Sequence, residues 1–329
     1  MRSEAGSGGA AAIAKAPLGD GERWPSLPLA EWEDTLATLH RWMQMVGKTR
    51  LSLAPKENHW WNVAFYLTAR GLSTSPMPYD GREVELEFDF IDHRLVARTS
   101  EGETRALELR PRTVADFYAD YRELLRSLDV HAAIWPRPVE IADTTRFDED
   151  RQHASYDREA AARCWRILVQ TDRLLKEFRG QFLGKSSPSH FFWGSFDLAC
   201  TRFSGRAAPP HPGGIPNLAD SVTRESYSHE CISAGWWPGA SASPIAEAAF
   251  YAYAYPEPPG CPDARIRPTG ASYHPIMKEW ILPYESVRAA DAPDEMLREF
   301  LESTYVAAAS LGKWDRHALE RRRSPDGAS

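Results

Sequence analysis

The sequence predicts an α+β fold made of two pseudo-repeated helix–antiparallel sheet–helix units, sheets joined or packed with helices covering one face. Three observations carry this. Apolar residues recur at helical spacing around 32–46 and again around 165–182. An aromatic, β-prone run follows each of these stretches, NHWWNVAFYL in the first half and HFFWGSFDLA in the second. Between them, residues 83–90 alternate strictly: Val84, Leu86, Phe88 and Phe90 take one face, Glu83, Glu85, Glu87 and Asp89 the other. Such alternation marks an antiparallel strand with one face buried.

In chain order, residues 1–23 read as a disordered leader. Their AAAIA stretch is too short and too polar at its flanks for a signal peptide. The first α+β copy spans 24–142. Trp32, Leu36, Leu39, Met43 and Val46 define a helix over about 30–47, with Glu31, Glu33 and Asp34 at its front and Lys48 and Arg50 at its back, as the helix dipole favours. A strand is expected over 59–69, then a meander through 83–90, 95–99 and 106–109. Val114, Phe117, Tyr121, Leu124, Leu125 and Leu128 predict a helix over 113–128, and a strand is expected around 131–141. The polar stretch 143–156 lacks periodicity and reads as a linker. The second copy, 157–312, opens on Asp157 as N-cap of a helix over 158–182. Strands are expected at 190–199, 226–236, 248–255 and 279–288, and a helix at 294–311. Residues 313–329 read as a polar tail.

The halves match beyond element type. His59 and His190 lie 131 positions apart, and at that offset Trp60 and Trp61 face Phe191 and Phe192, Phe65 faces Phe196, and Leu67 faces Leu198. Pro55 and Pro188 precede the two histidines, and Arg70 and Arg202 follow the two strands. The expectation is an internal duplication, with a ligand groove between the copies.

Composition removes several functions. The net charge is -7 over 329 residues. The only basic cluster is Arg321-Arg322-Arg323 in the polar terminus, whereas nucleic-acid binders concentrate positive charge on one face; no nucleic acid is expected as a partner. No apolar run reaches the length of a membrane span, so no membrane association is expected and the cytoplasm is the expected location. Cys164, Cys200, Cys231 and Cys261 form no CxxC pair, which argues against a zinc ribbon or redox motif. Gly180–Ser186 (GQFLGKS) has three residues between its glycines where a phosphate loop needs four, and it follows a helix rather than a strand. HExxH, GxSxG and GxGxxG are absent.

The strings WPSLPLAEWEDTLATLH, NHWWNVAFYLTARGL, EFDFIDHRLV, HFFWGSFDLACTRFSGR, YSHE, FYAYAYPEPPG and KWDR resemble an uncharacterised bacterial family, known only as the domain of unknown function numbered five-nine-nine-six. The resemblance runs from Trp24 to about Leu319 and implies one full-length module. It implies no reaction, cofactor or catalytic residue.

Candidate chemistry then rests on residue types. His190, His229, Glu230 and Asp197 are the candidate catalytic or metal-ligating groups of a hydrolase-like enzyme, although no ligand spacing requires a metal. Strand alternation places His229 and Glu230 on opposite faces. Asp197 interrupts an apolar strand and is expected to pair with Arg202 or Arg70, because a lone buried carboxylate is costly. For a binding module, Trp61, Trp193, Trp237 and Tyr253 form the expected aromatic wall, with His59, His190, Arg70 and Arg202 orienting polar groups. The favoured reading is a module that binds a small-molecule ligand in an aromatic-lined pocket between the copies, with the hydrolase-like enzyme as the alternative. The sequence names no cofactor and no oligomeric state.

Overall fold

The computed structural model of the chain describes residues 19–321. Residues 1–18, most of the expected leader, and 322–329, with two of the three tail arginines, lie outside the described residues. The helices are α1 (Asp20–Arg23), α2 (Leu29–Leu53), α3 (Val114–Arg126), α4 (Arg158–Gly180), α5 (Asp220–Ser226), α6 (Tyr284–Arg288), α7 (Pro293–Leu311) and α8 (Arg316–Leu319). The strands of the first half are β1 (Tyr66–Leu67), β2 (Gly71–Ser73), β3 (Met77–Tyr79), β4 (Arg82–Asp89), β5 (Arg94–Thr99) and β6 (Thr104–Glu108). Those of the second are β7 (His190–Phe192), β8 (Asp197–Ala207), β9 (His229–Trp237), β10 (Ala249–Tyr255), β11 (Ser272–His274) and β12 (Glu279–Pro283).

The fold is α+β with two antiparallel six-stranded sheets. The first runs β1-β2-β4-β5-β6 with β3 also on β4; the second runs β11-β12-β10-β9-β8-β7. In β4, Val84, Leu86 and Phe88 are buried as alternation requires. Glu87 and Asp89, on its polar face, are buried too, and each meets an arginine: Arg98 at 2.7 Å and Arg70 at 2.5 Å. The sheets touch where Phe65 and Phe191 exchange backbone hydrogen bonds of 2.9 Å in both directions.

Helix α2 is longer than its apolar stripe suggests and is buried on nearly every side. Trp42 stacks on Phe117 of α3 at 4.3 Å, and Thr49 Oγ1 lies 2.5 Å from the Tyr121 hydroxyl. Some of its polar residues find partners within the fold. Arg41 meets Asp143 at 2.7 Å and Asp150 at 3.1 Å, and Arg50 lies over the Tyr66 ring. Asp157 caps α4 by accepting from the amides of Glu159 and Ala160.

Five expected elements differ, one being the strand expected over 279–288, which ends at Pro283 and continues as the helix Tyr284–Arg288. Residues 59–69 are not one strand: Asn58–Val63 is a 3-10 turn in which His59 and Trp60 have φ of 58° and 59°, and only Tyr66–Leu67 pairs. Tertiary packing of the aromatic side chains overrides their strand preference here. Residues 190–199 fold as a hairpin, β7 and β8 joined by residues 193–196, with Phe196 at φ 59°. No strand forms over 131–141. Pro136 and Pro138 remove donors there, and the amide of Val139 is held by the Gln44 side chain rather than by a neighbouring strand. Part of the expected polar tail packs, since Trp314 is buried and α8 is followed by a bridge from Glu320 to Phe182. The halves share an order of helix, meander and helix. Their residue equivalences do not carry over, for His59 lies in a turn and His190 in a strand, and Phe65 pairs with Phe191 rather than corresponding to Phe196.

The contact between halves can be tested at Gly47. Glycine in a helix interior is normally about 1 kcal/mol worse than alanine. Here an added Cβ would lie 2.3 Å from the indole of Trp193. Gly47→Ala is therefore expected to destabilise the fold by about 1–3 kcal/mol in urea denaturation. Gly180→Ala, at the open end of α4, should be neutral or slightly stabilising.

Candidate functional site

The second sheet is two-faced. Along β8 to β10 and β12, one set of alternate residues (Leu198, Cys200, Ile232, Ala234, Trp236, Phe250, Ala252, Trp280, Leu282) is buried, and α4 and α7 pack on the sheet. The other set faces a cavity of about 480 Å³: Asp197, Ala199, Thr201 and Phe203 on β8, Cys231, Ser233 and Trp237 on β9, Ala249, Tyr251 and Tyr253 on β10, Glu279 and Ile281 on β12. Period-two geometry thus separates a packed face from a hollow one.

Three segments roof the hollow: the 3-10 turn carrying His59, Trp60 and Trp61, residues 215–227 including α5, and Glu140. They are tied to one another. His59 Nδ1 donates to the Ser226 carbonyl at 3.0 Å, Lys56 meets Glu225 at 2.8 Å, and the Glu140 amide donates to the Pro216 carbonyl at 3.1 Å. Because His59 Nδ1 carries its proton, Nε2 is free to accept from Lys185 Nζ at 2.8 Å. Burial and the neighbouring Lys185 hold this imidazole below its ordinary pKa.

Helix α2 sets the remaining geometry. His40 Nε2 is 3.0 Å from both the Trp193 and Gly194 carbonyls, which only accept, so this nitrogen donates to the hairpin turn. One turn of helix later, Gln44 donates to the Val139 carbonyl at 2.9 Å and accepts from its amide at 2.8 Å. One helix therefore fixes both the 193–196 turn and the residue preceding Glu140. The Glu140 carboxyl comes so close to Gly194 that a Cβ there would be 1.9 Å from Oε1. Glu140 itself has φ 61°, an uncommon conformation for a non-glycine residue that collects at functional positions.

The floor of the cavity is acidic. Asp197, 8% exposed, accepts from the hydroxyls of Ser195 and Tyr251. Tyr251 reaches it by lying across Gly235, where a Cβ would be 2.7 Å from the phenol oxygen. Burial pushes the Asp197 carboxyl up despite these two donors. Glu140 and Glu279 are each pushed up to about 7, by burial first and then by the charge of Asp197; for Glu140, Lys48 pulls the other way. Lys48 itself is lowered to about 8 by burial. The Tyr227 and Tyr253 hydroxyls are 2.9 Å apart on the same wall. Among the described residues, no group of three or more His, Cys, Asp or Glu side chains converges as metal ligands would.

The model of a family described as "Family of unknown function (DUF5996)" matches residues 24–321. The chain belongs to this family. No curated protein and no solved structure matches it.

Of the residues singled out in the sequence, this DUF5996 chain brings His59, Trp61, Asp197, Trp237 and Tyr253 to the cavity wall. The other six lie elsewhere. His190 is buried beside Trp61, with Nε2 3.3 Å from the Tyr66 hydroxyl and Nδ1 unpartnered, and burial lowers its pKa to about 3. Trp193 donates its indole N–H to the Val63 carbonyl at 2.7 Å and packs on α2. His229 is exposed at the start of β9, its ring 5.6 Å from that of His59. Glu230 pairs with Arg206 at 2.6 Å on the opposite face. Neither arginine meets Asp197. Arg70 pairs with Asp89 and Asp92 on the first sheet. Arg202 is buried under the helical face, 3.4 Å from the Phe178 ring centre and 4.2 Å from that of Tyr305, donating to the Phe178 carbonyl. The expected ion pair is replaced by hydroxyl donors because Arg202 has the opposite strand parity to Asp197. No hydrogen bond or ion pair joins His190, His229, Glu230 and Asp197 to one another among the described residues.

Ser195, Glu140, Tyr227, Tyr251 and Glu279 are site residues that the sequence reading missed. A signal existed for Tyr251, which shares parity with Tyr253. Glu279 and Glu140 looked like ordinary polar residues at strand ends.

The carboxyls give a pH signature. Glu140 and Glu279 hold their protons to a higher pH in the fold than in the unfolded chain, from 4.5 up to about 7. Folding therefore takes up protons between those values, and their contribution to stability declines as pH rises through this window. Glu140→Gln and Glu279→Gln should each be more stabilising at about pH 8 than at about pH 5, by about 1–3 kcal/mol in urea denaturation. Because the buried His40 and His190 remain in both variants, their own titrations cancel in the comparison. A pH-independent difference would show that the carboxyls ionise normally.

Proposed function

We propose that this chain is a small-molecule-binding protein whose ligand enters the cavity on the hollow face of the second sheet. The observation that carries the reading is the cavity itself. It is within the size range of ligand sites and combines aromatic walls with a few converging polar groups, the combination such sites show. Its lining is held by side chains whose own positions are locked, among them Tyr251 over Gly235 and Trp237, which donates to the Ser195 carbonyl at 3.1 Å. Preorganisation of this kind limits the entropy lost on binding.

On this reading the two halves are unequal partners. The second supplies the floor, while the 3-10 turn and Glu140 reach in from the first. A hydrolase acting through His190, His229, Glu230 and Asp197 has less support, because only Asp197 lines the cavity.

The test is a thermal-shift screen of a chemically diverse small-molecule library against the native chain and two cavity-filling variants, Ser233→Trp and Ala199→Phe. A ligand at 100 times its Kd stabilises the fold by about 2.7 kcal/mol. Compounds that raise the melting temperature of the native chain should fail to do so in whichever variant folds, with folding checked by circular dichroism. Shifts that persist in both folded variants, or a screen without hits on the native chain, would overturn the proposal.

A further inference from the structure

We infer that the cavity takes a ligand carrying a basic nitrogen, an amine or quaternary ammonium group, on an apolar body. This rests on the cavity being a ligand site and goes further by naming the ligand's charge. Three carboxyls from three separate segments, Glu140, Asp197 and Glu279, face one hollow, and among the described residues no lysine or arginine lines it. None of the three appears in an ion pair within 4.0 Å among the described residues, although the buried Glu87, Asp89 and Asp150 each have an arginine. The chain thus pairs those buried acids with arginine, while Asp197 has only hydroxyl donors and Glu140 feels Lys48 at a distance. Burying carboxylates without a cation is costly, and a bound cation would relieve that cost.

The walls suit the same ligand. Indole and phenol rings attract cations over their faces, and Trp237, Tyr227 and Tyr253 line the cavity. The basic groups nearby are accounted for. Lys48 acts on Glu140 from outside the lining and lies over the Trp193 ring at 5.8 Å. Lys185 donates to His59 and lies over Trp61 and Phe203, and His59 is held neutral at neutral pH. An anionic ligand would meet three acids and, among the described lining residues, no lysine or arginine.

The ligand's pH behaviour follows from the groups facing the two glutamates. Glu140 faces Asp197 and Lys48; Glu279 faces Asp197, with Tyr227, Tyr251 and Tyr253 near it. The tyrosines stay protonated at neutral pH, since burial raises all three. A cation should therefore bind more tightly as pH rises through about 7 and the glutamates ionise.

The experiment uses matched pairs that differ in charge but not in shape: 2-phenylethylamine with 2-phenylethanol, 4-phenylbutylamine with 4-phenylbutanol, and tryptamine with tryptophol. Isothermal titration calorimetry on the native chain at low salt should show the amine of at least one pair binding about 10-fold or more tightly than its alcohol at about pH 8. That gap should narrow at about pH 6. Glu279→Gln and Glu140→Gln should each shrink it several-fold, and the cavity-filling variants should abolish binding of both members. Alcohols binding as tightly as amines would overturn the charge assignment and leave the cavity standing as a ligand site. Amine binding that survives the cavity-filling variants would overturn it by placing the amine elsewhere. If neither member of any pair binds and the library screen is also blank, both readings fall together.

Discussion

The cavity depends on a short polar stripe on one buried helix. His40 and Gln44 lie one turn apart on α2, and between them they satisfy the backbone of two segments that belong to no sheet. A buried amide or carbonyl without a partner costs of order a kcal/mol or more. These two side chains therefore decide where the 193–196 turn and the 139–140 segment can rest. His40 does this as a neutral ring, because burial lowers its pKa to about 4. The pair adds to the anchors that Pro216 gives Glu140 and that Trp237 gives Ser195.

The hollow survives because the sheet face beneath it is built from small residues where a packed face has large ones. Ala199, Thr201 and Ser233 stand next to one another across β8 and β9, with Ala199 opposite Gly235 and Thr201 opposite Ser233. The same two strands carry Leu198, Cys200 and Trp236 on the helical side. Large side chains flank this small patch: Phe203 on β8, Trp237 on β9, and Tyr251 and Tyr253 on β10. Tyr251 passes over Gly235 to reach Asp197. The roof is tied at its edges, by His59 and Glu140 to the backbone carbonyls of Ser226 and Pro216 and by the Tyr227 hydroxyl to that of Tyr253 on β10.

Elements whose burial follows a single period were legible in the sequence. Alternation in β4 and helical spacing in α3, α4 and α7 each report one packed face, and the structure has those elements within a few residues of the expected bounds; α2 starts where expected but is buried on nearly every side and runs on to Leu53. The aromatic runs were not legible as strands, because an aromatic side chain is equally at home in a turn that packs it against two neighbours. Trp60 and Trp61 are placed by consecutive positive φ values at His59 and Trp60, which no periodicity announces. The same limit explains the site. Asp197 stood out as a charge inside an apolar run, and Trp237 and Tyr253 as aromatics of fixed parity. Glu140 did not stand out, since its role comes from Gln44, 95 positions earlier in the chain, and from a glycine at 194 that admits it. His190 and Arg202 misled for a related reason. Each is a polar residue on an apolar strand, like Asp197, but the packed face of the sheet absorbs the arginine with ring faces and a carbonyl.

That contrast bears on how the molecule divides its buried charge. On the helical side Arg202 sits among Phe178, Phe182 and Tyr305; a delocalised, weakly hydrated cation tolerates such a site because ring faces carry negative potential. On the cavity side the polarity is reversed: ring faces surround carboxyls, which they cannot stabilise in the same way. Aromatic walls around acids are a poor arrangement for the empty chain and a good one for a chain holding a cation, which both the rings and the carboxyls attract. The raised Glu140 and Glu279 express the same imbalance, each keeping a proton where a positive ligand would otherwise stand. One strand, β8, therefore carries a cation matched by rings on its packed side and, five residues away on its open side, an acid still in want of one.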